Sequence, residues 1–393
     1  MLDMTMMTNR PVNLDYAAST PMRPEAVAAQ AAYDASEIAG ANPNSLHSLG
    51  RASAVKLEEC RRSVAHSLGK RVRPSEVIFT GGGTEANVLA LLGIAEGVRD
   101  ADHKRTRVIV SAIEHDSILD NLPALRAAGF TTDIVKPFRS GFIESETLTA
   151  LMGPDVALVS VMLANNETGA VQPVRELAAI THAHGARFHT DAVQGWLHLP
   201  FDVDELSVDA LSLAGHKVGA PVGIGALYLR TRCPLRPQSQ GGGQERGLRP
   251  GTQDLRAIVA LAAVANALAP HVEDDRAHIQ AAADRLMKRL AAHPHIVPTL
   301  GSDWQQIDRL PGILNVCIDN KDSEELILQL DGRGFEVSAA SACSSGNLGA
   351  SHVLMAMGIP RELALGSLRI SFDDRVNPAD LEQFADALCE VVG

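Results

Sequence analysis

The sequence contains 393 residues, a length that fits two domains or one large domain with an appendage. Its hydrophobic fraction of 46% and charged fraction of 21% are ordinary for a globular enzyme. The net charge of −12 argues against direct binding of nucleic acid or of an anionic membrane surface. Neither an apolar run of membrane-spanning length nor a secretory signal is found, so we expect no membrane association.

The cysteine content indicates a reducing compartment. The five cysteines are far apart in sequence and form no CxxC pair, which argues against a disulfide framework or a cysteine-rich metal site. We therefore expect a cytoplasmic protein without a metal centre.

Between about residues 76 and 230, short β-rich runs alternate with helical patterns such as 174–183. This alternation predicts an α/β fold whose mainly parallel sheet is covered by helices on both faces. In such sheets, ligands bind at the carboxyl ends of the strands. The runs typical of buried strands are 77–80, 108–111, 156–160, 186–191, 210–213 and 225–229.

The C-terminal third has a different pattern. After two helical stretches it continues as strand, helix, Ser/Gly-rich loop, strand and terminal helix, which predicts a small α+β domain. We expect a large domain at 22–270 and a small domain at 1–21 plus 271–393. The predicted elements are helices 255–269 and 275–292, strand 313–318, helix 323–330, strand 367–371 and helix 378–391.

Two of the predicted strands end in side chains with complementary chemistry. The run 210–213 leads to His216 and Lys217, and the run 186–191 ends in Asp191. Burial near a sheet edge disfavours a charged lysine and favours its use as a nucleophilic amine. Pyridoxal phosphate (PLP) needs such a pair, because the amine binds its aldehyde and the acid keeps its pyridine nitrogen protonated. A surface lysine after an ordinary strand is the alternative interpretation.

Three other strand ends carry polar or flexible residues. The run 77–80 leads into three glycines and Thr84 at the start of a helix, a turn that suits a phosphate or a plain tight connection. His115 follows the run 108–111, where its ring could stack on a flat cofactor or cap a helix. Asn166 follows the run 156–160, where it could bind a carboxylate or form a turn.

Two loops and one arginine complete the candidates. The glycine-rich loop 241–252 would face an anion, with Thr252 capping the next helix, or serve as a solvated linker. Cys343 lies among small residues at 338–347, where a thiol is poorly placed for core packing and well placed to reach into a site. Arg369, in the last strand, could bind a carboxylate through a bidentate fork or form a surface ion pair.

These segments together resemble the cysteine desulfurases, class V PLP enzymes of fold type I (aspartate aminotransferase-like), from about residue 13 to residue 375. The motif order is long and specific. The longer loop around Cys343 resembles the group associated with iron–sulfur assembly and tRNA thiolation. The matching motifs are 14–21, 42–47, Thr84-Glu85, Glu114-His115, 165–169, 191–194, 215–217, 241–246 and 341–343.

The resemblance implies a PLP site in a homodimer. Lys217 would hold PLP covalently, and Asp191 would pair with its pyridine nitrogen. Gln194 would bond its phenolic oxygen, while His115 would stack on the ring and relay protons. The phosphate-binding residues would be Gly83, Thr84 and His216, joined by Thr252 from the second subunit.

The resemblance also implies the substrate and the reaction. Asn42, Asn166 and Arg369 would bind L-cysteine, and Cys343 would accept its sulfur as a persulfide while L-alanine leaves. An acceptor protein in iron–sulfur assembly, tRNA thiolation or DNA phosphorothioation would then take the sulfur. A selenocysteine lyase, a cysteine β-lyase and a non-catalytic paralogue are the alternatives.

Three features, at four positions, depart from the family pattern. Ala214 stands where the family usually has a serine, so one hydroxyl for the phosphate is expected to be missing. Val222 replaces a usual lysine, and Asp373-Asp374 replace the Leu-Gly expected after Arg369. Residues 219–221 and 248–252 resemble the desulfurases of DNA phosphorothioation as much as those of housekeeping assembly.

Overall fold

The structure is a computed structural model that describes residues 11–339 and 349–393. The strands in these residues belong to three sheets. They are β1 (Val12–Asn13), β2 (Val77–Thr80), β3 (Arg107–Ser111), β4 (Thr131–Val135), β5 (Val156–Ser160), β6 (Arg187–Asp191), β7 (Ala210–Ala214), β8 (Gly225–Leu229), β9 (Ile296–Pro298), β10 (Ile313–Ile318), β11 (Phe335–Glu336), β12 (Ser338–Ala339) and β13 (Ser367–Ser371).

Helices cover the sheets and connect their strands. Among the described residues, no single helix is long and apolar enough to cross a bilayer. The consecutive helices Leu255–Leu268 and Val272–Ala291 reach the necessary length and apolarity only when they are counted together, and the chain bends by 76° between them. The helices are α1 (Pro24–Asp34), α2 (Ser48–Leu68), α3 (Gly83–Ala101), α4 (Asp116–Leu119), α5 (Leu122–Ala127), α6 (Ser145–Thr149), α7 (Val174–Ala183), α8 (Val203–Leu206), α9 (Leu255–Leu268), α10 (Val272–Ala291), α11 (Ser323–Asp331), α12 (His352–Ala356), α13 (Arg361–Leu365) and α14 (Pro378–Val392).

The large sheet has seven strands in the order β2-β8-β7-β6-β5-β3-β4. Strands β4, β3, β5, β6 and β7 are parallel, while β8 is antiparallel to both of its neighbours. This arrangement confirms the α/β fold with a mainly parallel sheet. The edge strand β4 was not predicted, because its half-exposed polar sequence lacks the apolar run of a central strand.

Alternate residues of the central strands face two separate cores. Ile109 belongs to the core under α9, whereas Val108 and Val110 belong to the core under α3. Because successive strand residues point to opposite faces, a strand covered on both sides must be apolar throughout. Strand β5 is accordingly buried at all of its positions. This double burial makes the strands rigid supports for the loops at their carboxyl ends.

The C-terminal region forms its own antiparallel sheet in the order β12-β13-β10-β9. Helices α10, α11 and α14 share a third core with this sheet, in which Phe335 meets Phe384 edge to face with ring centroids 5.7 Å apart. The N-terminal strand β1 pairs with β11, so the start of the chain joins this region. The limits 22–270 and 271–393 themselves stay a prediction.

Two boundaries differ from those expected. Helix α10 begins at Val272 rather than near residue 275. The cap of α9 is Asp254, whose side chain accepts a hydrogen bond from the backbone of Ala257 at 3.0 Å, and not Thr252. The expectation for Thr252 was wrong because an aspartate one residue before the helix is placed to bond the free N–H groups of the first turn.

Candidate active site

A cavity of about 350 Å³ lies at the carboxyl ends of the parallel strands. The loops that follow β3, β5, β6 and β7 all contribute to its wall, as expected for an open α/β sheet. It therefore gathers most of the side chains that the sequence singled out. The polar residues that line it are Thr84, Asn87, His115, Ser117, Asn166, Asp191, Gln194, His216 and Lys217.

Lys217 enters the cavity from a single 3₁₀ turn, Gly215–Lys217, directly after β7. Its Nζ donates hydrogen bonds to the backbone carbonyls of Ala17 at 2.7 Å and Ala18 at 2.9 Å. These acceptors belong to the segment between β1 and α1. The amine is thus oriented by backbone groups that are distant in sequence.

Asp191 also lines the cavity and is 6% exposed. One carboxylate oxygen accepts a bond of 2.6 Å from the amide of Asn87, and the other accepts the backbone N–H of Val193 at 2.9 Å. The Asn87 amide also donates to Ser117 at 2.8 Å, while its own carbonyl oxygen is buried without a partner among the described residues. Asn87 was missed by sequence reasoning.

His115 lies at the N-terminus of α4 and lines the same cavity. Its Nδ1 accepts the backbone N–H of Ser117 at 3.0 Å. Because Nδ1 is an acceptor, the proton of the neutral ring must be on Nε2. The imidazole is therefore fixed in one tautomer by the helix that it caps.

The first turn of α3 forms a third part of the cavity wall through Gly83 and Thr84. The first N–H groups of a helix have no intrahelical acceptor and attract anions. A Cβ at Gly83 would lie 2.8 Å from Val193, so the close approach here requires glycine. His216 lies beside this turn, and burial together with the charges of Lys217 and His115 lowers its pKa to about 4. It is neutral at pH 7.

Gln194 and Asn166 also reach the cavity, but Arg369 is not among the side chains that line it. Gln194 donates to the carbonyl of Ala17 at 3.0 Å. Arg369 is fully buried and donates to the Asp15 carboxylate at 2.8 Å and to the Asn166 carbonyl at 3.0 Å. It therefore supports the backbone of Asn166, and its role toward a substrate carboxylate stays a prediction.

Thr252 and Asn42 are exposed and do not line the cavity of their own chain. The loop that carries Thr252 is anchored by the buried Glu245, which pairs with Arg61 at 2.6 Å and accepts the backbone N–H of Phe79 at 3.0 Å. Asn44, two residues after Asn42, lies 3.5 Å from Gln253 in the same loop. The two predicted residues thus share one surface outside the cavity.

Cys343 lies outside the described residues. The chain after that gap is fixed to the cavity wall at two points. Ser351 donates to the buried Glu167, and Nε2 of His352 is 3.0 Å from the carbonyl oxygen of Glu114. Residues 351 and 352 therefore adjoin the loops of Asn166 and His115.

Glu114 is fully buried behind the cavity, where sequence reasoning gave it no role. It accepts hydrogen bonds from the Ser111 hydroxyl and from the backbone of Met162 at 2.8 Å. Burial raises the pKa of its carboxyl to about 8, although the two hydrogen bonds act to lower it. The negative charge of Asp191 raises the pKa further. A carboxyl group inside an apolar strand end is the signal that could have identified it.

The donor set fits a flat, cationic aromatic ring that carries an aldehyde and a phosphate. A carboxylate that is already oriented by two donors can hold a ring N–H⁺, and a helix N-terminus with Thr84 can hold the phosphate. An amine lies in the same cavity for a covalent bond. These residues therefore suit PLP, which enzymes of this family use in general.

The model of the aminotransferase class-V family matches residues 12–384. The cysteine desulfurase IscS of Dictyoglomus turgidum is 35% identical over 98% of this chain and 95% of its own length. An IscS-like cysteine desulfurase of Mycobacterium tuberculosis is 38% identical over 95% of this chain and 94% of its own length. The matched residues 12–384 thus include all three sheets and every residue that lines the cavity.

Three solved structures are similar in fold. A NifS-like protein has a TM-score of 0.87 and 32% identity, covering 97% of this chain and 99% of its own. SspA in complex with cysteine has a TM-score of 0.78 and 30% identity, covering 92% of this chain and 98% of its own. DndA from Streptomyces lividans has a TM-score of 0.74 and 34% identity, covering 90% of this chain and 97% of its own.

Proposed function

This chain belongs to the aminotransferase class-V family, and we propose that it is a PLP-dependent cysteine desulfurase that converts L-cysteine to L-alanine. The observation that carries the proposal is the juxtaposition of Lys217, Asp191 and His115 around one cavity. The relatives named cysteine desulfurase and the cysteine complex of SspA support L-cysteine as the substrate.

Each cavity residue has a proposed task toward the cofactor. Lys217 would hold PLP covalently, Asp191 would pair with its ring nitrogen and His115 would stack on its ring. Gln194 bonds the phenolic oxygen. The phosphate is held by Gly83, Thr84 and His216. When bound, PLP supplies an electron sink that makes the substrate Cα–H acidic and the Cβ–S bond labile.

The protein supplies proton acceptors and substrate contacts around that sink. The Lys217 amine, held by the carbonyls of Ala17 and Ala18, accepts the Cα proton once the substrate has displaced it. His115 carries a proton on Nε2 for relay. Asn166, supported from behind by Arg369, binds the substrate carboxylate, and Arg369 itself stays a proposed contact of that group. Asn42 lies outside the cavity of its own chain, so its proposed contact with the carboxylate would be made across the homodimer.

We propose Cys343 as the sulfur acceptor. Its thiolate forms an S–S bond with the substrate sulfur as the Cβ–S bond breaks, so that cysteine and one thiol give alanine and one persulfide. An acceptor protein in iron–sulfur assembly, tRNA thiolation or DNA phosphorothioation then takes the outer sulfur. The four described cysteines are free thiols, which supports a reducing, cytoplasmic setting.

We also propose that the enzyme is a homodimer in which Thr252 contacts the phosphate of the second subunit. Thr252 and Asn42 are exposed on one surface away from their own cavity. Large apolar side chains are also exposed in the N-terminal region that contains Asn42 and shortly after the Lys217 turn. Such exposure is expected for a surface that a partner subunit covers. They are Met22, Val27, Leu46, Leu49, Val55 and Val222.

Alanine formation from L-cysteine tests the function. With a thiol reductant present, the wild type should form alanine repeatedly, and Cys343→Ser should bind PLP but form almost no alanine. Cys60→Ser, a buried thiol in α2, is the matched control and should keep full turnover. Turnover of Cys343→Ser at the wild-type rate would contradict the acceptor assignment and favour a cysteine β-lyase or a selenocysteine lyase.

A further inference from the structure

Residues 15–23, here called the strap, cross over the turn that carries Lys217. The strap connects β1 with α1. Besides its two carbonyl bonds to the lysine amine, it holds the lysine backbone: the Thr20 hydroxyl donates to the Lys217 carbonyl at 2.9 Å. Farther along, the Arg23 N–H donates to the Gly219 carbonyl at 2.8 Å. Both the amine and the main chain of Lys217 thus depend on the position of the strap.

The C-terminal end of the strap is fixed by a cluster of charges. Arg23, whose side chain is 7% exposed, bonds Asp373 at 3.1 Å and makes a two-point contact with Asp374. Arg375 bonds Asp373 at 2.7 Å and the Pro21 carbonyl at 3.1 Å. Two cations and two anions therefore balance at the junction of the strap with the end of β13.

Both partners of the central pair are charged. Burial alone would lower the pKa of the Arg23 guanidinium, but its bond with Asp374 and the charges of both aspartates raise the pKa above its ordinary value. Burial would raise the pKa of Asp374, and the bond from Arg23 lowers it below its usual range. Removing one member of such a pair leaves an uncompensated charge in a poorly solvated place.

The cluster lies next to the lysine turn. A small cavity of about 30 Å³ is lined by Lys217, Gln194, His198 and Asp373 together. Gly219 has a φ of +83°, and a Cβ there would lie 2.6 Å from Cγ of Arg23. The side chain of Arg23 is therefore packed against the main chain that leaves the lysine turn.

We propose that Asp373 and Asp374 are positioning residues for Lys217, acting through Arg23 and the strap. The aspartates hold Arg23, Arg23 fixes the end of the strap, and the strap carbonyls orient the amine. This inference rests on the proposed function, in which Lys217 binds PLP. The acidic pair stands where the resembled family has Leu-Gly, so this device is a departure of this sequence from the family pattern.

Hydrogen exchange of the protein without PLP tests the device independently of catalysis. In Asp374→Asn, amides of the strap and of residues 214–219 should exchange about tenfold faster, since a charge-assisted bond is lost. The control is Asp386→Asn, which breaks the exposed pair of α14 with Arg289 and should leave these amides unchanged. Unchanged exchange in Asp374→Asn would overturn the proposal.

The PLP-loaded protein gives a second measurement. Asp374→Asn should change the visible absorbance of the lysine-bound cofactor and release PLP about tenfold faster than the wild type. Asp374→Glu, which keeps the charge, should recover most of both properties. A lower unfolding temperature with unchanged absorbance and PLP release would show a merely structural role and overturn the proposal.

The outcomes remain distinguishable if a variant or the proposed function fails. Should Asp374→Asn not fold, the double variant Arg23→Leu/Asp374→Leu removes both charges, because an ion pair can often be replaced by apolar residues. Faster strap exchange in that variant supports the proposal, and unchanged exchange overturns it. A wild type that never binds PLP contradicts the proposed function, whereas the exchange experiment still reports on the strap.

Discussion

The two ends of the cavity are built differently. At the Asp191 end, Asp191, Asn87 and Glu114 are nearly or fully buried. Asn87 of α3 donates to the Asp191 carboxylate, and Glu114 accepts the backbone N–H of Met162. At the phosphate end, Thr84 is exposed and His216 is half-buried. The Asp191 end is therefore complete within one chain, whereas the other end needs a ligand and, in our proposal, a second subunit. Substitutions at the two ends should differ accordingly.

The largest effect is expected for Asp191→Asn at the buried end. An amide cannot keep the pyridine nitrogen protonated, and its NH₂ group would face one of the two donors of the carboxylate, the Asn87 amide or the Val193 N–H. The rate of alanine formation should fall by about 10³-fold, in the range of a lost acid–base group. Steady-state kinetics at saturating PLP check this, with Asp120→Asn at the exposed C-terminus of α4 as the control. A loss of less than tenfold would contradict the assignment of Asp191.

Glu114 should make stability depend on pH. Its pKa is raised from 4.5 to about 8. Between these two pH values, the folded state therefore holds a proton that the unfolded state has released. The contribution of Glu114 to the free energy of unfolding should then decrease as pH rises from 6.5 to 8, by about 1 kcal/mol per pH unit. Burial lowers the pKa of His189 to about 3 and that of His216 to about 4 in the folded state, whereas their unfolded forms lose a proton near 6.5, so these two histidines contribute a smaller change of opposite sign.

Denaturant unfolding at several pH values measures this dependence. The variant Glu114→Gln cannot titrate at this position but keeps the histidines, so the difference in free energy of unfolding between the wild type and the variant isolates Glu114 and should decrease by about 1 kcal/mol per pH unit between pH 6.5 and 8. Equal slopes for the wild type and the variant would show that Glu114 is ionised in the folded protein.

Asn87→Ala should weaken PLP binding without abolishing turnover. The substitution removes the 2.6 Å bond that orients the Asp191 carboxylate, and we expect about tenfold weaker binding of PLP. Fluorescence titration of the protein without PLP measures this affinity. Asn266→Ala, at an exposed position in α9, is the control. Unaltered affinity in Asn87→Ala would show that Asp191 needs no such support.

The smallest effect is expected at the exposed end. Thr84→Ala removes one hydroxyl, but the backbone N–H groups of α3 remain for the phosphate, so PLP should bind only about threefold more weakly. The unfolding temperature should not change, because Thr84 is exposed. A thirtyfold loss would mean that the two ends contribute equally and would remove the contrast between them.

Sequence patterns predicted the elements that periodicity determines. Because parallel strands end at one edge of a sheet, Lys217, Asp191 and His115 could be assigned to one site from sequence alone. Asn87 could have been found as well, since it lies four residues after Gly83 on the same face of α3. Its amide is the one polar side chain among the buried residues of α3.

Other features have no sequence signature. The carbonyls of Ala17 and Ala18 hold the lysine amine, and any residue type could supply them. The burial of Arg369 against Asp15 depends on how the segment after β1 meets β13, where Asp15 forms a bridge with Ser371, a contact across more than three hundred residues. The pairing of Asp373 and Asp374 with Arg23 is equally distant in sequence, so its consequence could not be predicted.

Chemical trapping of the cofactor tests the central claim most directly. The PLP-loaded protein is reduced with borohydride, digested and mapped by mass spectrometry, with Lys70→Ala as a control for exposed amines. We predict one phosphopyridoxyl group per chain, on Lys217, and none in Lys217→Ala. Labelling of another lysine, or a protein that binds no PLP, would contradict the account.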